Sequence, residues 1–181
     1  MVENQQTEPG AHAPGQSPGA QGPSNLALLG ELCWLYSHSK LHRTWPVGSI
    51  QQWLLPAILT RQMRLYRQNG KPHAFVTWAW LSAEIEEAYV LNTASLQPKD
   101  WKSGNRGWII DWVAPFGGTR DIASDLKQNV FRNDVGRFLR LKEGSDTLKI
   151  VYVHGANAID KARDPTLSPT VNLRRAAEAD P

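Results

Sequence analysis

The sequence predicts a mixed α/β (α+β) fold, in which a mostly antiparallel sheet is flanked by helices. Three observations support this fold class. Apolar residues recur at helical spacing after residue 25, short segments rich in aromatic and β-branched residues follow, and tight-turn sequences separate those segments. A chain of 181 residues is long enough for one domain of ordinary size.

Composition divides the chain into three parts. Residues 1–25 contain four Pro and four Gly but no Lys or Arg, and they hold too few large apolar side chains to offset the chain entropy lost on folding. We expect them to form a disordered leader. Residues 26–155 are expected to form the folded domain, and residues 156–181 a polar C-terminal tail with a helical stub at 173–179.

Two helices are predicted to open the domain. Apolar residues repeat at helical spacing over 26–36, and Ser24 or Asn25 can cap that helix. Proline is tolerated at the first helical position. A second helix is therefore expected to begin at Trp45-Pro46 and to end or kink at Pro56.

A β-hairpin and an acidic helix are predicted next. Residues 62–67 alternate in polarity, Asn69-Gly70 is a strong two-residue turn, and residues 73–81 are rich in aromatic and β-branched side chains. Ser82 then provides an N-cap. The helix that it starts carries glutamates that we expect to be solvated, as most charged side chains are: Glu84, Glu86 and Glu87.

The second half supplies the remaining elements. Residues 107–116 form the most apolar predicted strand, which Gly117-Gly118 ends. An amphipathic helix at 121–131 follows, and two strands at 138–142 and 147–154 are joined by a turn at 144–146.

Charge predicts a positive face. Residues 26–155 contain 16 Lys or Arg and 11 Asp or Glu, and six basic residues occur from Lys40 to Lys71 without one acid. Such a face attracts nucleic acid, an acidic carrier protein or a phosphate-bearing cofactor. A solvated surface without a partner is the alternative.

Other features restrict the compartment and the chemistry. No stretch approaches the roughly 20 apolar residues that span a bilayer, and the leader lacks the pattern of a secretory signal, so we expect a soluble, cytoplasmic protein. Cys33 is the single cysteine, and its apolar helical surroundings favour a buried thiol over a catalytic one. The histidines show no helical ligand pair, so no metal is expected.

His42, Asp111 and Ser39 are the candidate catalytic residues. His42 follows Ser39 by three residues, so one helical turn places a hydroxyl beside the imidazole. Asp111 lies in the apolar central strand, where a carboxylate needs a partner. An imidazole exchanges protons near neutral pH, and a carboxylate can fix its tautomer. The pair favours an enzyme, while a structural histidine and an ion pair of Asp111 with Arg43 or Arg106 stay open.

Eight tryptophans exceed what a core of this size requires. Aromatic side chains dominate burial, yet tryptophans on neighbouring strands can also wall a groove for a fatty chain. The strand tryptophans are Trp78, Trp80, Trp108 and Trp112. We take Trp112, next to Asp111, as a candidate substrate contact.

Four motifs occur together in the folded domain. They are Leu-Gly-Glu-Leu-Cys-Trp-Leu-Tyr, then Ser39-x-Leu-His42-Arg-x-Trp-Pro, then Leu-Pro-Ala-Ile at 55–58, and finally Trp-x-Ile-Asp111-Trp-x-Ala-Pro-Phe-Gly. In this order they resemble the hemolysin C-type toxin-activating lysine-acyltransferases. The resemblance covers residues 26–155.

The resemblance implies a fold like the GCN5-related N-acetyltransferases. It also implies an enzyme that moves a fatty acyl group from acyl carrier protein, where a phosphopantetheine thioester holds it, to internal lysines of an RTX protoxin. No bound cofactor is implied. His42 matches the essential family histidine, Asp111 the family aspartate and Ser39 the family serine. His42 would act as a general base or carry the acyl group itself.

One basic surface is a candidate for partner binding, and two positions differ from the family pattern. The basic segment with Arg61, Arg64 and Arg67 suits an acidic carrier protein and is the candidate donor-binding surface. Oligomeric state is open, with a homodimer among the alternatives. Lys40 stands where family members carry proline, and Trp53 where they carry asparagine.

Two rival functions make different predictions. An acetyl-CoA-dependent N-acetyltransferase requires a Gly-rich pyrophosphate loop, which residues 117–120 match only weakly. A basic nucleic-acid-binding module concentrates Lys and Arg with exposed aromatics. Acids accompany the basic residues after residue 84, so no nucleic-acid partner is expected.

Overall fold

The structure is a computed structural model that describes residues 24–141 and 148–162. The expectations for most of the leader, for the turn at 144–146 and for the stub at 173–179 lie outside the described residues. Among the described helices, none is both long enough and apolar enough to cross a bilayer.

One five-stranded sheet forms the centre of the fold, with the strands in sequence order. All neighbours pair antiparallel except β3 and β4, which are parallel. This confirms the prediction of a mixed α/β fold with a mostly antiparallel sheet. The strands are β1 (Met63–Gln68), β2 (Lys71–Leu81), β3 (Arg106–Val113), β4 (Val135–Leu141) and β5 (Leu148–His154).

Helices cover both faces of the sheet. They are α1 (Asn25–His38), α2 (Ser49–Trp53), α3 (Leu55–Thr60), α4 (Ala83–Leu91), α5 (Thr119–Asp125) and α6 (Ile159–Ala162), with 3₁₀ turns at His42–Thr44, Thr93–Ser95 and Pro98–Trp101 and a π turn at Leu126–Val130. One face, which we call the α1 face, packs against α1, α3 and α4. The opposite α5 face packs against α5 and the π turn.

Local signals in the sequence set several element ends. Ser24 caps α1 by accepting a hydrogen bond from the Ala27 amide, and Ser82 caps α4 in the same way. Asn69 and Gly70 both have positive φ, at 52° and 74°, as the tight turn of a two-residue hairpin requires. These predictions are confirmed.

The prediction of one helix from Trp45-Pro46 to Pro56 is wrong. The chain makes a turn after Pro46, whose carbonyl accepts from the Ser49 amide, and α2 begins only there. Pro56 lies in the first turn of α3, where its missing N–H has no helical partner to lose. It therefore starts a helix rather than ending one.

Glu86 is buried, which corrects the prediction that it is solvated. Its side chain accepts hydrogen bonds from Trp108 Nε1 at 2.7 Å and from Arg106 at 2.8 Å, and Arg137 Nε lies 3.5 Å away. The donors come from β3 and β4, far along the chain, so the helix sequence alone does not reveal them. Glu84 and Glu87 are exposed as predicted.

Candidate active site

A cleft opens where β3 and β4 separate. The two strands pair at only two positions, Gly107 with Gly136 and Trp108 with Arg137. Beyond them lies a cleft of about 430 Å³, within the size range of small-molecule sites. Its walls are residues 109–112 of β3, residues 138–140 of β4, and Leu41, His42, Trp45, Trp53, Tyr89 and Thr93.

A β-bulge turns Asp111 toward the helices. Thr77 of β2 lies opposite Asp111 and Trp78 lies opposite Ile109, so Ile110 is an extra residue. Regular alternation from Trp108, which packs on the α1 face, would point Asp111 to the α5 face. The extra residue reverses the alternation. Asp111 consequently meets α1 and the turn that follows it.

The chain after α1 brings His42 to the same place. Ser39 ends α1, with its amide bonded to the Tyr36 carbonyl, and the Arg43 amide bonds back to the Ser39 carbonyl. The resulting 3₁₀ turn buries His42, which is 6% exposed. Tyr36, Ser39 and His42 thus recur every three residues on one side of the chain.

Ser39, His42 and Asp111 form one hydrogen-bonded chain. Ser39 Oγ lies 2.7 Å from His42 Nδ1, and His42 Nε2 lies 3.2 Å from Asp111 Oδ1. An ionised carboxylate only accepts, so this pattern assigns the ring hydrogen to Nε2. Nδ1 then accepts from the Ser39 hydroxyl. The order of hydroxyl, imidazole and carboxylate is that of a proton-transfer triad.

Tyr36 completes the site and was missed by the sequence reasoning, which treated it as an apolar helix position. Its hydroxyl donates to Asp111 Oδ2, and its ring stacks on His42 with centroids 4.4 Å apart and planes 4° apart. Burial, followed by the charge of Asp111 and their hydrogen bond, raises the Tyr36 pKa. The three-residue spacing from Tyr36 to Ser39 to His42 is the signal that points to it.

Two further contacts position His42 and Asp111, which we call the dyad. The Asp111 amide donates to Thr77 Oγ1 at 3.1 Å, which ties the bulge to β2. Trp45 presents its ring to His42 at a centroid distance of 4.6 Å and an angle of 63°. The carboxylate bonds to His42 and Tyr36, while Arg106, one of the alternative partners, pairs with Glu86.

The structure does not bring the predicted donor-binding arginines to the cleft. Arg64 bonds Asp125 at 2.8 Å and Arg67 bonds Glu31 at 2.7 Å. Both lie on β1, at the edge of the sheet away from β4, and Arg61 follows α3 at the surface. Arg64 and Arg67 are ion-paired, whereas Arg61 is exposed and has no ion-pair partner among the described residues.

Other predicted residues do line the cleft. Trp112 and Trp53 are both in its wall, and Trp53 packs 6.3 Å from Trp45 between ring centroids. Lys40 is exposed beside the His42 turn. The glycines at 117 and 118 lie before α5 and outside the wall, so they form no phosphate loop there.

Within the described ranges, no group of three His, Cys, Asp or Glu side chains is placed to hold a metal ion.

Arg140 of β4 lines the cleft and lies opposite Lys149 of β5. Both side chains are exposed, and among the described residues neither has an ion-pair partner.

Comparison with known proteins gives one consistent family. The sequence profile of the RTX toxin acyltransferase family matches residues 23–154. The chain is 39% identical over 144 residues to the RTX-II toxin-activating lysine-acyltransferase ApxIIC of Actinobacillus pleuropneumoniae, covering 79% of this chain and 89% of that protein.

Two other relatives carry names that specify the acyl group. The protein-lysine myristoyltransferase RtxC of Kingella kingae is 37% identical over 129 residues, covering 71% of this chain and 77% of its own length. The protein-lysine palmitoyltransferase CyaC of Bordetella bronchiseptica is 38% identical over 154 residues, covering 80% and 82%.

Proposed function

This chain belongs to the RTX toxin acyltransferase family, and from that premise we propose that it is an enzyme that transfers a fatty acyl group to lysine side chains of an RTX protoxin. The observation that carries the proposal is the hydrogen-bonded series of Ser39, His42 and Asp111, of which His42 and Asp111 line the cleft. Acyl transfer to an amine requires a group that removes a proton from the amine, and the imidazole of His42 supplies that group.

Acyl carrier protein is the proposed donor. The inner edges of β3 and β4 separate after two paired positions, and a strand edge can pair with the amides of an extended phosphopantetheine arm. Apolar side chains from both sides, Trp45, Trp53, Ile110 and Leu139 among them, suit the acyl chain. Such a parting of parallel strands also supports a fold like the GCN5-related N-acetyltransferases.

Arg140 and Lys149 replace the β1 arginines as the proposed contact for the donor. Like charges opposite each other on neighbouring strands repel, and a bound anion would relieve that repulsion. The pair adjoins the cleft, where the phosphate of the arm or an acidic face of the carrier would lie. The charge thus lies beside the apolar channel that the arm would enter.

His42 Nδ1 is the proposed proton acceptor. The substrate ammonium loses a proton to Nδ1, directly or through the Ser39 hydroxyl, and the amine attacks the thioester carbonyl. The C–N bond forms and the C–S bond breaks. The attacking nitrogen gives up its second proton, which the leaving thiolate takes, and the first proton passes from His42 to solvent. Asp111 stabilises the imidazolium through Nε2. Both ring nitrogens are hydrogen-bonded. An acyl-imidazole at Nδ1 would exclude the Ser39 hydrogen bond for the lifetime of the intermediate, whereas a proton can pass through the Ser39 hydroxyl with that bond in place, so direct transfer is favoured.

Co-expression tests the proposal. The chain is produced with an RTX protoxin, and lysine masses in the protoxin are measured for wild type, His42→Ala and His38→Ala. His38 is an exposed histidine at the end of α1, before the turn that contains His42, so it controls for the loss of an imidazole. We expect acylation with wild type and His38→Ala but not with His42→Ala. Acylation by His42→Ala at the wild-type level would refute the proton-acceptor role.

A further inference from the structure

Both oxygens of Asp111 are occupied, each by a different part of the chain. Oδ1 faces His42 Nε2, and Oδ2 accepts from the Tyr36 hydroxyl. The carboxyl group of an aspartate rotates readily about its last torsion, and a second hydrogen bond prevents that rotation. The Tyr36 bond therefore determines whether Oδ1 stays aimed at the imidazole.

Tyr36 also contacts the imidazole directly. Its ring lies parallel to the His42 ring, with 4.4 Å between centroids, while Trp45 meets the same imidazole by its edge. The stacked ring limits rotation of the imidazole out of the plane that joins Ser39 to Asp111. One side chain of α1 thus touches both members of the dyad, and it belongs to a helix that packs on β2 and β3 through apolar residues.

We propose that Tyr36 is a positioning residue for acyl transfer, which holds the Asp111 carboxylate through its hydroxyl and the His42 ring through its face. The inference rests on the proposed function, since it concerns the same reaction. The Tyr36 hydroxyl acts on the substrate only through Asp111 and His42, so the loss of this hydroxyl lowers kcat rather than the affinity for the donor.

The chain contains a matched control. Tyr66 of edge strand β1 donates its hydroxyl proton to Asp125 Oδ2 at 2.7 Å, and β2 lies between this strand and the strands that form the cleft. Tyr66→Phe and Tyr36→Phe each remove one tyrosine hydroxyl from one aspartate. Only Tyr36→Phe removes it at the site.

The experiment compares steady-state kinetics of the purified full chain with an acyl carrier protein thioester and a protoxin substrate. We expect Tyr36→Phe to lower kcat about tenfold to a hundredfold with KM for the donor unchanged, and Tyr66→Phe to keep the wild-type kcat. Tyr36→Leu, which also removes the stacked ring, should be slower than Tyr36→Phe. A folded Tyr36→Phe with the wild-type kcat would overturn the inference.

A double-mutant cycle makes the test independent of stability. If Tyr36 acts through Asp111, the Tyr36→Phe, Asp111→Asn protein is no slower than Asp111→Asn alone. Multiplied losses would contradict the inference. Should Tyr36→Phe fail to fold, NMR of the wild type replaces it: a slowly exchanging Tyr36 hydroxyl proton supports the bond, and its absence opposes it. Inactive wild type with every donor tested would instead count against the proposed function.

Discussion

Replacement of Asp111 by asparagine is the perturbation that the site geometry defines most sharply. Asp111 is 8% exposed and accepts from His42 and Tyr36 at once, whereas an amide has one oxygen and one NH₂ group. If the oxygen of the new side chain faces Tyr36, its NH₂ faces Nε2 and forces the ring hydrogen to Nδ1. The imidazole can then no longer accept a proton at the Ser39 side.

In the other orientation of the amide, the His42 tautomer is kept but the negative charge beside the imidazole is lost. If the amide oxygen faces His42, the NH₂ group meets the Tyr36 oxygen, and the phenol hydroxyl must turn away. A carboxylate 3.2 Å from an imidazolium stabilises it by about 5 kcal/mol at an effective dielectric constant of roughly 20. A neutral amide recovers part of this, so we expect kcat to fall by about 10² to 10⁴.

Single-turnover acylation rates of purified Asp111→Asn and wild type measure this loss. Asp125→Asn is the control, because Asp125 also accepts from a tyrosine and from Arg64, but these partners lie on edge strand β1, which β2 and β3 separate from β4. We expect Asp125→Asn to react at the wild-type rate. A folded Asp111→Asn protein that matched that rate would refute the assignment of Asp111 to the reaction.

Three further predictions concern the fold and the serine. Glu86→Gln should lower the free energy of unfolding by about 3–5 kcal/mol, since it removes the charge of a buried carboxylate that pairs with Arg106 and lies 3.5 Å from Arg137. Urea unfolding beside the exposed control Glu84→Gln checks this, and equal losses would contradict it. Gly155→Ala should destabilise the fold, because a Cβ there would lie 1.7 Å from the Phe131 carbonyl oxygen. Gly30→Ala, which has open space in α1, should instead stabilise the fold by about 0.5–1 kcal/mol. A Gly155→Ala protein as stable as wild type would contradict the first expectation and show that the loop can shift. Ser39→Ala should lower kcat about tenfold without abolishing transfer, because Nδ1 keeps its lone pair. Complete loss of transfer would contradict this and would make the Ser39 hydroxyl essential to the reaction.

Local chemistry made part of the fold predictable. A hairpin at Asn69-Gly70 and caps at Ser24 and Ser82 follow from backbone and side-chain preferences that act over a few residues. Pro56 was misassigned because proline is compatible with a helix start as well as with a helix end. Its role depends on the turn after Pro46, which no local preference fixes.

The site was predictable in composition but not in arrangement. His42, Ser39 and Asp111 were identified from residue type and from a family resemblance. Simple strand alternation would have pointed Asp111 away from His42. The bulge at Ile110 reverses this, and it arises from pairing with β2, which the sequence of β3 alone does not reveal. The partners of Glu86 and the ion pairs of Arg64 likewise come from residues distant in the chain.

Purified components test the central claim most directly. An acyl carrier protein thioester, a protoxin and the full chain are mixed, and intact-mass spectrometry follows lysine acylation with wild type, His42→Ala and His38→Ala. Our account predicts that wild type and His38→Ala transfer the acyl group from the carrier to lysine, while His42→Ala leaves it on the carrier. Transfer by His42→Ala at the wild-type rate would contradict the account.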